Sequence, residues 1–184
     1  MTKRLFVAVT VDDDVRDLAR RCQSALTGVG PVRWVAPEAM HITIKFLGDT
    51  EIGQLPELLA VLQESALGQK EFVAVLGGVG GFPNSSRART LWLGVGVGAA
   101  ELRLLQQQVE TNLAARGFPR DERPFTPHLT IGRSRELVKL PALPNELAHE
   151  RVSCPVKGMT LFESRLGRAG PNYIPLATVH WIGR

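Results

Sequence analysis

The chain has 184 residues, 44% of them hydrophobic and 22% charged, with a formal net charge of +4. That is enough apolar material for a substantial core, so residues 1–184 are expected to form a single bilobed domain. No apolar run approaches the roughly 18 residues a membrane helix requires, and the two cysteines, Cys22 and Cys154, show no metal-ligand spacing. Met1–Arg4 leads straight into a strand-like run without a signal-peptide cleavage site, so a cytoplasmic location with reduced thiols is expected. The positive surplus falls in the second half, where residues 93–184 hold twelve Lys/Arg against eight Asp/Glu. Arg120, Arg123, Arg133, Arg135, Arg165 and Arg168 contribute to it, and guanidinium groups suit a phosphate-bearing partner.

In chain order, Leu5–Val9 is a short apolar run of strand length. Asp12–Asp14 follow as acids at a helix start, and Val15, Leu18, Ala19, Cys22 and Leu26 recur at helical spacing until Gly28. Val32–Val35 is a possible short strand, and Pro37-Glu38 a turn. His41–Leu47 is a strand closed by Gly48-Asp49. Leu55, Leu58, Leu59 and Leu62 mark a second helix, ending at Gly68. Glu71–Leu76 and Thr90–Val97 are strands around a Gly-, Asn- and Ser-rich stretch, Gly77–Arg89, expected to be a loop. Leu102, Leu105, Val109 and Leu113 give a third helix, ending near Gly117. The loop Arg120–Pro127 enters a strand over His128–Arg133. Arg135–Glu146 is irregular, and Arg151–Glu163 and Tyr173–Ile182 read as closing strands around a loop, Ser164–Asn172. Short strands separated by helices suggest an α+β fold with two related antiparallel sheets and flanking helices facing a central cleft.

Within that order one pattern occurs twice: His41-Ile42-Thr43-Ile44 and His128-Leu129-Thr130-Ile131. In a strand, residues two apart share a face. Each histidine therefore stands beside its threonine, with the aliphatic pair on the opposite side. The other histidines, His149 and His180, lack the pattern. A single such histidine would read as a hydrogen-bonded structural residue; two in matching contexts read as a pair aimed at one cleft. Near neutral pH one imidazole can act as base while another acts as acid. Zinc-helix, Cys-pair, phosphate-loop and nucleophile-elbow motifs are all missing, which leaves acid–base chemistry without a metal or cofactor. In-line displacement at phosphorus suits two facing proton-transfer groups, because the attacking and leaving oxygens lie on opposite sides. Thr43 and Thr130 could donate to the equatorial oxygens, or could simply be β-branched strand residues.

Arg133 is five residues beyond His128, so an ideal strand turns it away; it reaches the phosphate only if the strand is bulged or ends at Gly132. Lys45 has the parity of His41 and could bind phosphate, or be a solvated strand-end lysine. Phe125 could stack on a base or belong to the core.

His41-Ile42-Thr43-Ile44-Lys45-Phe46-Leu47-Gly48 and Pro124-Phe125-Thr126-Pro127-His128-Leu129-Thr130-Ile131-Gly132-Arg133 resemble the two signature segments of the two-histidine phosphoesterases. Arg4–Val9, Leu91-Trp92-Leu93-Gly94 and the region from Ser164 to Tyr173 narrow the resemblance to the RNA 2′,3′-cyclic phosphodiesterases, historically called 2′-5′ RNA ligases. The resemblance implies metal-free hydrolysis of a 2′,3′-cyclic phosphate at an RNA 3′ end to a 2′-phosphate. It implies His41 as proton donor and His128 as proton acceptor, with reverse 2′-5′ joining exchanging those roles. The expected partner is RNA carrying the cyclic end, the expected working unit a monomer, with no membrane involved. Two rivals stand beside this reading: a related phosphodiesterase acting on 2′-5′ oligonucleotides or nucleotide cyclic phosphates, and a non-catalytic RNA-binding protein. The presence of both histidines and both threonines argues against the second.

Overall fold

The computed structural model describes residues 1–167 and 170–181. Its first strand, β1 (Thr2–Thr10), is apolar on both sides: Leu5, Val7 and Val9 enter the main core, while Phe6 and Ala8 are buried on the other face. Asp12 then caps α1 (Asp13–Ala25), its carboxylate accepting from the Val15 N–H at 3.2 Å. Asp13 and Asp14 add negative charge to the first turn, where the helix dipole favours it. The helix buries Val15, Leu18, Ala19 and Cys22 at the expected spacing.

The chain continues through β2 (Val32–Trp34), β3 (His41–Glu51), α2 (Leu55–Ala66), β4 (Phe72–Asn84) and β5 (Arg87–Val95). After these come α3 (Ala99–Ala114), β6 (His128–Val138), the short α4 (Asn145–His149), β7 (Val152–Val156), β8 (Gly158–Gly167) and β9 (Gly170–His180). Among the described residues the strands join in the order β7-β4-β5-β6-β3-β1-β8-β9, with β2 beside β6. Two antiparallel halves, β3-β1-β8-β9 and β6-β5-β4-β7, meet where Ile42 pairs with Leu129. The expected two related sheets are thus halves of one hydrogen-bonded sheet. Helix α1 packs against β4, β6 and β7, whereas α2 and α3 pack on each other and on β9 and β3 respectively. The helices cover one face, leaving the side that carries the two histidines open.

Two expected loops are strands. Gly77–Arg89 is mostly the hairpin β4–β5, turning at Ser85-Ser86. Its glycines are packing residues: Gly80 faces Trp92, and a Cβ there would overlap the indole ring. Ser164–Gly167 continues β8, and β9 starts at Gly170, which pairs with Gly167, so the described part of this segment is strand. The strand expected over His128–Arg133 also runs further, to Val138. Ile182 and Arg168 lie outside the described residues.

Candidate active site

A bulge at the same place in both marked strands sets the face of the residues that follow it, up to the next register shift. Along β1 and β3, Ala8 pairs with Thr43 but Val7 pairs with Lys45, so Ile44 is an extra residue. Along β5 and β6, Trp92 pairs with Thr130 but Leu91 pairs with Gly132, so Ile131 is extra. Each bulge reverses the parity that follows it. The fourth residue after each histidine, Lys45 or Gly132, therefore turns to the helix side, and the fifth, Phe46 or Arg133, turns to the cleft. Arg133 thus gains the condition set for it, although the extra residue is Ile131 rather than Gly132. The Ile131 carbonyl accepts from the Val35 N–H at 2.9 Å and from Gln23 Nε2 of α1, also at 2.9 Å. Helix α1 therefore helps satisfy the bulged backbone.

Each histidine is tethered by the same device. His41 Nδ1–H donates to the Ala39 carbonyl at 2.8 Å, and His128 Nδ1–H donates to the Thr126 carbonyl at 2.7 Å. In both cases the acceptor lies two residues upstream. The tether fixes the tautomer and leaves Nε2 as the working nitrogen. In His41 that nitrogen accepts from the Thr43 hydroxyl at 3.1 Å. Aromatic rings confine both imidazoles: Phe6 and Tyr173 stand 4.8 and 5.1 Å from His41, and Phe82 stands 4.9 Å from His128.

The enclosure has an electrostatic consequence. Burial pulls His41 down from the ordinary 6.5 to about 4, with Arg133 and His128 adding repulsion and the Ala39 tether opposing it. Burial lowers His128 as well, again with Arg133 adding to the effect and the Thr126 carbonyl opposing it. Both rings are thus neutral in the empty cleft at neutral pH. A cavity of about 390 Å³ opens here, lined by His41, Thr43, Phe46, Thr130, Arg133 and Tyr173, among others. His128 stands two residues before Thr130 on the same face of β6, close enough for its charge to act on His41.

A profile of the 2′-5′ RNA ligase superfamily matches residues 11–168. The chain belongs to that superfamily. It is 36% identical over 178 residues to the RNA 2′,3′-cyclic phosphodiesterase of Methanothermobacter thermautotrophicus, covering 94% of this chain and 96% of the relative. It is 42% identical over 132 residues to the Archaeoglobus fulgidus protein of the same name, covering 71% and 72%. Among solved structures, TT0787 of Thermus thermophilus matches with a TM-score of 0.82 at 28% identity, covering 98% of both chains. E. coli LigT complexed with 3′-AMP matches at 0.80 and 25% identity over the full length of both.

In this member of the superfamily, Lys45 does not reach the cleft. It is 3% exposed and bonds Glu110 of α3 and Asp121, both at 2.9 Å, together with the Pro119 carbonyl at 2.9 Å. The bulge at Ile44 is the reason: parity counted in an unbroken strand puts this side chain on the wrong face. Phe125 packs against the core. Arg120 and Arg123 are exposed in the loop before β6, while Arg165 is paired with Glu163 at 2.9 Å. His149 and His180 lie elsewhere, on α4 and at the end of β9. Cys22 and Cys154 are buried free thiols, and burial pushes Cys22 up to about 11 and Cys154 in the same direction. Neither supplies a thiolate at neutral pH. Among the described residues no group of three or more His, Cys, Asp or Glu is placed to hold a metal ion.

The sequence reading missed Phe46, which is 59% exposed on the cavity wall, and Leu166, Pro171 and Tyr173, which the β8–β9 hairpin brings to the same wall. Phe46 had a usable signal, since it stands five residues after His41 as Arg133 stands after His128. Tyr173 stood only within the stretch that carries the family resemblance, and its pairing with Ser164 of β8 is what brings it to the cleft.

Proposed function

We propose that the chain is an RNA 2′,3′-cyclic 3′-phosphodiesterase, hydrolysing the cyclic phosphodiester at an RNA 3′ end to a 2′-phosphomonoester. The observation that carries this reading is the matched tethering of His41 and His128. Each ring gives Nδ1–H to the backbone and keeps Nε2 for the cleft. In the reaction, His128 Nε2 takes a proton from water while the water oxygen bonds to phosphorus. The bond from phosphorus to the 3′ oxygen breaks, and His41 Nε2–H delivers its proton to that oxygen. Thr43, Thr130 and Arg133 donate to the non-bridging oxygens, where charge accumulates. His41 is neutral in the empty cleft, and the anionic phosphate raises its affinity for the proton it must give. The 2′-5′ joining expected as a reverse reaction with exchanged roles is instead the same displacement with an RNA 5′ hydroxyl in place of water: His128 takes the hydroxyl proton, the 5′ oxygen bonds to phosphorus, and His41 protonates the departing 3′ oxygen, leaving a 2′-5′ linkage.

Both histidines come from one chain, which fits a monomer as the working unit. The two free cysteines fit a reducing compartment such as the cytoplasm. The reading contains no metal and no cofactor. The test is incubation with an RNA ending in a 2′,3′-cyclic phosphate, with and without EDTA, alongside a linear 2′-5′ RNA. A 2′-phosphate product at the same rate in chelator is expected. An unchanged cyclic end, or cleavage of the linear 2′-5′ RNA instead, would overturn the proposal. Loss of activity in EDTA with recovery on adding a divalent ion would overturn its metal-free part.

A further inference from the structure

One cation beside the cleft has no role in the chemistry above. Strand β2 lies antiparallel to β6, with Arg33 directly opposite Arg133. Residues directly opposite in such a pair share a face, their Cβ atoms about 5 Å apart. Arg133 lines the cavity, and so does Val35, which has the parity of Arg33. Arg33 therefore rises from the same floor. Its guanidinium extends across to the other half of the sheet and rests against Gly170 at the start of β9, where a Cβ would overlap its Nη2. The next residue, Pro171, is part of the cavity wall.

Like charges directly opposite on neighbouring strands disfavour the empty state. Among the described residues neither arginine takes part in an ion pair, and the side-chain bond from Arg133 is a long one to Thr90 Oγ1, 3.4 Å. An anion seated between two guanidinium forks turns that repulsion into attraction, and phosphate oxygens match the fork. The reacting phosphate belongs beside His41, Thr43 and Thr130. Arg33 reaches instead to Gly170, beside the Pro171 that lines the cavity. A cyclic phosphate is a 3′ terminus, so the RNA continues only on the 5′ side of the terminal nucleoside, and the next phosphate is attached there.

We infer that Arg33, with Arg133 standing between it and the reacting phosphate, seats the phosphate attached to the 5′ side of the terminal nucleoside, so that the cleft distinguishes an RNA end from a bare cyclic nucleoside phosphate. This inference rests on the hydrolase reading above and names a specificity residue for it. The 5′ phosphate can be an internal phosphodiester or a terminal monoester, and the substrates separate the two.

The experiment compares wild type and Arg33→Gln on four substrates: a nucleoside 2′,3′-cyclic phosphate, its 5′-phosphorylated form, a dinucleotide ending in the cyclic phosphate, and that dinucleotide with a neutral methylphosphonate linkage. Loss of a charged hydrogen-bonding group predicts KM about tenfold higher for the dinucleotide, with kcat within about twofold. The bare cyclic nucleotide and the methylphosphonate dinucleotide should be unaffected. A matching effect on the 5′-phosphorylated mononucleotide assigns the seat to any 5′ phosphate; an effect on the dinucleotide alone assigns it to the internal diester. Equal effects on all four substrates, or on none, would overturn the inference. In parallel, binding of a hexanucleotide ending in a 3′-phosphate, which requires no turnover, is followed against salt. Its log–log slope should flatten by about 0.7 in Arg33→Gln, and an unchanged slope would overturn the seat. Absence of wild-type turnover on every cyclic substrate would sink the hydrolase reading alone, leaving the salt slope to decide the seat.

Discussion

At the scale of single residues, His41 and His128 have the same tether but not the same surroundings. His41 lies between Phe6, Phe162 and Tyr173 with its Nε2 on Thr43, whereas His128 meets Phe82 and Trp92. On the proposed mechanism neither ring can do the other's work, because each faces one side of the phosphorus. His41→Ala and His128→Ala should each lower kcat by about 10²–10⁴-fold with the circular-dichroism spectrum unchanged; near-wild-type turnover in either would defeat the division of labour. The depressed titration of His41 also predicts how stability responds to acid. Between its ordinary 6.5 and about 4 the unfolded chain takes up a proton that the folded chain refuses. Stability is therefore lost as pH falls through that window. His41→Gln keeps an amide able to bond the Ala39 carbonyl but does not titrate. Its melting temperature should fall less than that of wild type between pH 7 and pH 4.5. An equal fall in both would mean that His41 is not the group holding off its proton.

At the scale of elements, the bulges decide which residues of each marked strand reach the cleft. The pairing of each histidine with its threonine was legible in the sequence, because it needs only the two-residue period of a strand. The bulges were not, since Ile44 and Ile131 are ordinary strand residues and only the partner strands make them supernumerary. One feature, foreseen only as a condition near Gly132 and not for β3, therefore produced two opposite results, a cleft position for Arg133 and a helix-side position for Lys45. The glycines of β4 misled in another way. Their composition reads as loop, but Gly80 is set by the Trp92 ring against it, a contact across strands that composition does not encode. Helices α1, α2 and α3 were legible because apolar spacing and caps are local. The placement of Lys45 has a measurable consequence. Lys45→Met leaves Glu110 buried without its cation and should cost about 3–5 kcal/mol in urea unfolding. Because the side chain faces α3, KM for a cyclic mononucleotide should change less than about twofold in the folded fraction. A raised KM with unchanged stability would put Lys45 back among the phosphate ligands.

At the scale of the whole molecule, the cleft spans a junction between two half-sheets joined by the Ile42–Leu129 pair. Each half contributes one histidine and one threonine, and the second half adds Arg133. On the proposed mechanism, an anion in the cleft touches both halves and meets two imidazoles whose hold on a proton burial has weakened. The anion favours the imidazolium form of each, so its binding should draw protons from solvent. Sulfate is a suitable probe because it does not titrate near neutrality. Above the depressed titration range of the empty cleft, affinity should fall about tenfold per pH unit for each proton taken up. Calorimetry at pH 7 in two buffers of different ionisation enthalpy measures the uptake directly. Wild type should take up a proton on binding sulfate, and His41→Gln should take up less. Arg133→Gln separates the two contributions to anion binding: removing the permanent charge should weaken sulfate at every pH, while proton uptake persists because both histidines then hold a proton more readily. If sulfate instead bound wild type with the same affinity from pH 6 to pH 8 and without uptake, the histidines would not be facing the anion. The two halves would then not be closing on a shared phosphate.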